Sequence, residues 1–551
     1  MIFLPPRNWP RTTACDYAAV SVLFVVATIV GLTFRDFGLG WDDFTHAQYG
    51  DLLIAYYRSG FTDHRAFSFV NLEMYGGGFD MLADLVAKVL PQNLFETRRL
   101  IGGLVGVLGL AVTWRLARRI GGPVAGLVAV VLLAACPMFF GHLMINAKDG
   151  PFAVAMVILL LGMVRVLSEY PRPRAADIAV FGLGLGLSFG SRTLGILAGF
   201  DMLAALALLV GVEAKAKGWR EAAGRAVRFI GWLLPGAVLA YVIMAVIWPW
   251  SIQEPLNPWR ALIYFSDFFE HPWRELFDGR LILVPDMPRR YVPTLFALRM
   301  PEIFLALAVP GALGALYAAA RRDLPLRRRA IYLCVATAAL FPIALAVALR
   351  PAMYNGIRHF MFVVPPLAVL GGLAGAWLFD WIGERWHRGR AAAVAVLAIG
   401  VALPVIEAAR LHPYQYTYYN HFIGGVAGAQ GRYMLDYWGL ALKQASQGLA
   451  ARIAADKIQK PAGRPWKLGV CGPHPAARVE LGPDFEMTWD ARGVDFAIQL
   501  GVFYCRQFVD APVIAEIRRE GVLYAKVYDL RGRSYLTLFN PYPGQPESEK
   551  E

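Results

Sequence analysis

Long apolar runs separated by short polar connections dominate the first 410 positions. About eleven of them, mostly 17–25 residues long, lie near 17–34, 99–117, 123–140, 151–168, 176–190, 193–212, 229–249, 297–319, 330–349, 359–380 and 391–409. A helix rising about 1.5 Å per residue crosses about 30 Å of hydrocarbon in that length, so each run predicts a spanning helix. Beyond residue 410 the pattern changes. Helical spacing over 438–456 and strand-like runs at KLGV, DFAIQL, VLYAKVYDL and SYLTLF predict a small α/β domain. No internal repeat of the kind that builds many transporters stands out.

Basic residues orient the bundle, because Lys and Arg accumulate in cytoplasmic loops. They occupy alternate connections: Arg115, Arg118 and Arg119; Arg172 and Arg174; Lys215 to Arg228; Arg321 to Arg329; Arg385 to Arg390. The first span follows Arg7 and Arg11 without an A-x-A cleavage site, and reads as a retained anchor. The N-terminus is expected inside and the C-terminus outside. Three polar pieces then share the outer face: the loops 35–98 and 250–296, and everything after 410. The expected division is a membrane domain over 1–410 and an extracytoplasmic domain over 411–551.

Composition agrees with this picture. The 551 residues are 57% hydrophobic and 17% charged, with a mean hydropathy of +0.45. Soluble domains run nearer 45–50% apolar and about 25% charged. The formal charge of +13 follows the inner loops and indicates no nucleic-acid partner. Five cysteines build no disulfide scaffold, although Cys471 and Cys505 share the outer domain, where oxidation is permitted. Neither G-x-G-x-x-G in a βαβ setting nor G-x-x-x-x-G-K-[ST] occurs, and the nine His form no ligand motif. No metal site and no obligatory cofactor are expected; a divalent ion at an acidic pair stays open.

Candidate chemistry falls on the outer side. The first loop opens GLGWDDFTHAQYG, with Asp42 and Asp43 just beyond the first span. They suit helix capping, and equally a general base with an orienting neighbour. FFGHLMINAKDGPFA places His142, Asn146, Lys148 and Asp149 in one short connection. Asp149 fits a helix start, whereas positive-inside logic leaves Lys148 unexplained and a phosphate ligand would account for it. Arg192 in FGSRTLG, and Arg350, Arg358 and His359 in LRPAMYNGIRHFMF, supply further outer cations. Each fits snorkelling; together they suit an anionic head group. Asp201 lies within a span, where an ionisable group is costly. Trp248, Trp250, His271 and Trp273 fit an interfacial aromatic belt better than a sugar platform.

WDDFTHA after the first span, NAKDGPFA before the fourth and YNGIRHFMFVVPPLAVLGG opening the tenth carry a family resemblance. HPYQYTYYNHFIGG and GRYMLDYWG, after the last span, are similar too. The chain resembles the GT-C membrane glycosyltransferases, in the branch holding protein O-mannosyltransferases, the lipid A aminoarabinose transferase and rhizobial galacturonosyltransferase-like proteins. The resemblance covers about residues 15–440. It implies an α-helical polytopic membrane protein with the GT-C fold, and a sugar donated from a polyprenyl phosphate to a lipid, glycan or protein hydroxyl with inversion. The site would lie at the outer face of a bacterial cytoplasmic membrane. Asp42 then becomes the leading general base, Asp149 the second acidic position, and Arg358 the cation for the leaving phosphate, with Lys148, Arg192, His359 and Arg350 as further donor-binding candidates. The usual Asp-Glu pair is Asp-Asp here, which leaves the part of Asp43 open. The rival class is a lipid-linked-sugar flippase or other transporter. That class would place its groups near the midplane, where only Asp201 lies.

Overall fold

Gly122 and Pro123 decide where the second and third apolar runs part. In the computed structural model, which describes residues 12–266, 274–386, 388–506 and 508–540, Leu94–Ala134 is helical over 41 residues except at Gly122, whose φ is 89°. A straight helix of that length would reach about 60 Å, twice the hydrocarbon thickness. Glycine takes positive φ without a Cβ clash and proline removes the following N–H, so the chain turns back here. A Cβ on Gly126 would lie 2.9 Å from Trp114 and Arg118, so the two limbs pack side by side as a hairpin.

Nine helices among the described residues are long and apolar enough to cross a bilayer, this broken one included. With its limbs taken separately and the shorter apolar helix Ala175–Ser191 added, every expected run falls on a helix. The protein is a multi-pass membrane protein. Arg7, Arg11, His271 and Trp273 lie outside the described residues.

Burial ranks the spans. The apolar windows of Asp149–Ser168 and Arg358–Arg385 are 83% and 78% buried, against 6% for Gly389–Leu411. The first two therefore form the centre of the bundle and the last its rim. Small residues allow the close approach: Gly372 meets Ala125 and Ala129, and Gly184 meets Leu159. Phe152 packs against Phe362 with ring centroids 5.3 Å apart, which brings together the N-terminal ends of the two central helices, with Lys148 and Asp149 on one and Arg358 and His359 on the other.

The first loop forms the helix Asp43–Arg58, two short 3-10 turns and the helix Gly78–Ala87. The loop after Trp219–Ile247 adds the helix Asn257–Ser266 and an antiparallel hairpin of β1 (Arg274–Phe277) and β2 (Arg280–Leu283). The last piece is a five-stranded sheet of β3 (Trp466–Cys471), β4 (Phe485–Thr488), β5 (Phe496–Leu500), β6 (Val513–Arg519) and β7 (Val522–Asp529), in the order β4-β3-β5-β7-β6. β3 runs parallel to β4 and β5, while β7 is antiparallel to β5 and β6. The helix expected over 438–456 is Ala441–Ala455. SYLTLF is not a strand of this sheet. It makes single bridges through Thr537 and Phe539, because its buried Leu538 covers the sheet at Gly469 instead of extending an edge. Cys471 and Cys505 form a disulfide, with Cα atoms 5.9 Å apart.

Candidate functional site

Asp42 and Asp43 are neighbours with opposite surroundings. The Asp43–Arg58 helix starts without a side-chain hydrogen bond from Asp42, whose carboxylate is left to face a cavity. Asp43 holds the fold. Its carboxylate accepts the Gly40 N–H at 2.7 Å and receives Arg99 at 2.8 and 2.6 Å, and it is 3% exposed. The expected acidic pair is thus divided between the cavity and the bundle. Lys148 Nζ lies 3.4 Å from Asp42 Oδ2. Burial pushes the Asp42 carboxyl up, but Lys148 and Arg358 outweigh it and hold it at about 2.

Asn146, not Asp149, receives the free amides at the start of the fourth span: its Oδ1 accepts the N–H groups of Lys148 and Asp149 at 3.0 and 2.8 Å. The buried Asp149 carboxylate is left for cations. It pairs with Arg192, accepts from Arg358 Nη1 at 3.2 Å and from Asn146 Nδ2 at 2.7 Å. Around this knot two tyrosines form a wall. Lys148 and Arg192 lie 5.1 and 5.4 Å from the centre of the Tyr75 ring, and Arg358 lies 4.9 Å from that of Tyr354. Three cations from three separate connections therefore surround one spot.

Two cavities meet there. The larger, about 540 Å³, has Asp42, His46, Lys148, Glu275 and Arg358 in its wall, with Trp41, Tyr437, Trp438 and, from the C-terminal sheet region, Phe503 and Tyr504 beside them. The smaller, about 300 Å³, is lined by Leu197, Leu262, Phe265, Leu345, Phe360, Phe362 and other apolar side chains, with Arg192 and His359 at its wall. Tyr75 and Tyr354 belong to both. An apolar slot beside a polar chamber, with cations at the junction, fits an amphipathic anion. At the rim Trp41 lies parallel to Trp489, centroids 6.4 Å apart, and Trp489 stacks on His474 at 3.7 Å. Among the described residues no three His, Cys, Asp or Glu side chains gather in a metal-binding arrangement.

Comparison with known proteins bears on the architecture. Residues 78–250 match the model of the dolichyl-phosphate-mannose-protein mannosyltransferase family. No curated protein sequence matches the chain. Among solved structures, ArnT from Cupriavidus metallidurans in the apo state is similar over 93% of this chain and 98% of its own, at 16% identity and a TM-score of 0.51. The fold is that of the GT-C glycosyltransferases. ArnT bound to undecaprenyl phosphate is similar over 94% and 98%, at 16% identity and a TM-score of 0.49. The oligosaccharyltransferase AglB of Archaeoglobus fulgidus, in complex with an inhibitory peptide and a dolichol phosphate, is similar over 88% and 69%, at 13% and 0.48.

Within this GT-C fold the remaining expected residues fall on both sides of the site. His359 meets Tyr354 edge-on at 4.9 Å. Arg350 is exposed and turned to the carbonyls of Met287 and Pro285, because Arg350 closes its helix in a left-handed conformation (φ 54°) that points it along the loop. Asp201 is buried against Thr337, outside both cavities. Trp248 belongs to no belt: it is 1% exposed and donates its indole N–H to Glu73 O at 2.7 Å, holding the first loop. Sequence reasoning passed over Tyr75, Tyr354, Glu275 and His46. Only His46 carried a signal, four residues after Asp42 and hence on the same helical face. Gly76 shows how Tyr75 is placed: a Cβ there would lie 1.4 Å from the Gly190 carbonyl oxygen, so only glycine lets this strand of loop touch the end of the Ala175–Ser191 helix.

Proposed function

We propose that the protein is an inverting glycosyltransferase that moves a sugar from a polyprenyl phosphate to the hydroxyl of a lipid, glycan or protein. The observation that carries this is the junction of an apolar slot and a polar chamber at Lys148, Arg192 and Arg358. The prenyl chain would lie in the slot among the Leu and Phe side chains, its phosphate between the three cations, and the sugar in the chamber beside Asp42. Attack by an acceptor hydroxyl on the anomeric carbon breaks the bond to the phosphate oxygen, and the second negative charge that develops there is met by cations already in place. Fixing donor and acceptor in one chamber contributes further rate.

Asp42 reaches the chamber with no capping bond of its own, and in this reading it orients the attacking hydroxyl. Met434, Tyr437, Trp438, Phe503 and Tyr504, from the part of the chain after residue 410, close the chamber wall, and the Trp41 and Trp489 faces suit an acceptor sugar. The site would face the outside of a bacterial cytoplasmic membrane, in line with the positive-inside pattern and with the Cys471–Cys505 disulfide. The test is release of polyprenyl phosphate from polyprenyl-phosphate sugars by the purified protein in lipid, with membrane extract as acceptor. Transfer by wild type, with a loss of about a hundredfold in Asp42→Asn as expected when the hydroxyl is no longer oriented, supports the reading. Movement of lipid-linked sugar between leaflets with no donor consumed overturns it.

A further inference from the structure

The proposed transfer requires a group to take the proton of the attacking hydroxyl; the aspartates of the site are poorly suited, and Glu275 in the same wall accepts from Tyr291 Oη at 3.0 Å. Asp42 is ion-paired with Lys148 at 3.4 Å. Asp43 is committed to Arg99 and Gly40, and Asp149 to Arg192, Arg358 and Asn146. His46 stands in the chamber wall on the first turn of its helix, its backbone N–H on the Asp42 carbonyl at 3.0 Å. The ring is 3% exposed. Nδ1 is 2.8 Å from Asp80 Oδ2, and Nε2 is buried with no hydrogen-bond partner. Behind it Asp80 is itself paired with the buried Arg98, which also reaches Asp84 at 3.4 Å.

This is a built arrangement. An ionised Asp80, kept so by Arg98, takes the Nδ1 hydrogen and leaves the Nε2 lone pair as the free side of the ring. An orphaned buried nitrogen costs stability unless it serves a ligand. We propose that His46 is a catalytic residue of this site, its Nε2 accepting the proton of the acceptor hydroxyl while Asp80 positions the ring. The inference rests on the glycosyl-transfer reading above. The step balances: the acceptor oxygen bonds to the anomeric carbon, the bond from that carbon to phosphate breaks with its electron pair leaving on phosphate, and the hydroxyl proton moves to Nε2. The resulting imidazolium keeps Nδ1–H on Asp80 and later yields its proton to water. Charged and titratable groups around the ring are Asp42 on its own helix, Asp80 and Asp84 from Gly78–Ala87, Arg98 behind them, and Lys148 and Arg358 across the chamber.

The test is the pH dependence of kcat/KM between pH 5 and 9, in lipid, for wild type, His46→Asn and Glu275→Gln. Asn keeps a donor for Asp80 where Nδ1 stood and has nothing in place of Nε2. We expect His46→Asn to lose about a hundredfold or more in kcat, to keep its donor KM within threefold, and to lose the acid limb that wild type shows. His46→Ala should regain activity with added imidazole, which also answers the case in which the Asn variant does not fold. Retention of the wild-type limb and rate in His46→Asn overturns the proposal alone. So does loss of that limb in Glu275→Gln instead, which would hand the proton to that carboxyl. A wild type that releases no polyprenyl phosphate from its donors overturns the glycosyl-transfer reading, and this step with it.

Discussion

Arg358 Nη1 lies 3.2 Å from Asp149 Oδ2, joining residues 209 positions apart at the N-terminal ends of the two most buried spans. Arg192 binds the other oxygen of the same carboxylate. One buried anion thus holds two buried guanidiniums whose net charge of +1 points at the cavity junction. Replacing Asp149 by Asn leaves two like charges without a counterion, a loss of about 3–5 kcal/mol. A bound phosphate would restore part of it, because a ligand that binds only the folded state stabilises that state. Thermal denaturation in lipid should therefore show a lower Tm for Asp149→Asn, and a larger rise on adding polyprenyl phosphate than wild type shows. Equal rises would remove the phosphate from this position.

The divided acidic pair makes a second, paired prediction. Asp43→Asn breaks a buried ion pair with Arg99 and should cost about 3–5 kcal/mol of stability, while the rate per folded molecule stays within about threefold. Asp42→Asn should do the reverse, keeping the Tm within a few degrees and losing the rate. The check is to measure both quantities on both variants.

How far this was visible beforehand depended on the range of each interaction. Spans are legible because every turn of a lipid-facing helix must be apolar, and the hairpin turn shows as Gly122-Pro123. Lys148, Arg192 and Arg358 attract attention singly, since each is a cation on the side that has few. Their meeting around Tyr75 and Tyr354 is not legible, because aromatic residues at a membrane interface look alike whether they form a belt or a wall. Asp43 could not be told from Asp42 without Arg99, 56 residues away. SYLTLF misled for a related reason: its alternation describes a buried face, which a covering segment shares with a strand.

Glu275 provides a pH signature. Burial pushes its carboxyl up to about 7, against hydrogen bonds from Tyr291 Oη at 3.0 Å and the Gly356 N–H at 3.4 Å. The ordinary value is 4.5. Below that pH both folded and unfolded forms are protonated and there is no penalty. As pH rises from 4.5 to 7 the unfolded carboxyl ionises first, so the folded state loses stability. Above 7 the loss levels off at about 3 kcal/mol. Glu275→Gln abolishes this term. Its Tm relative to wild type should climb between pH 5 and 8; a difference independent of pH would mean the carboxyl is not buried in the protein as it folds in lipid.

The last prediction concerns Tyr75, which touches no reacting atom in the proposed chemistry and still decides where two cations stand. Its ring lies under Lys148 and Arg192, and its backbone is set by Gly76, whose N–H bonds Ser191 O at 3.3 Å, and by Gly77, whose N–H bonds Ile247 O at 2.9 Å. In Gly76→Ala the new methyl would overlap the Gly190 carbonyl. Both partners there are backbone, so the loop has to withdraw and carry Tyr75 with it. A displacement of about 1 Å in a positioning contact can cost a hundredfold, and here it should raise the donor KM more than it lowers kcat. Gly199→Ala serves as control, since nothing lies within 4 Å of a Cβ at that helical position; it should leave both parameters unchanged. If Gly76→Ala lowers kcat alone, the loop acts on the acceptor and not on the phosphate.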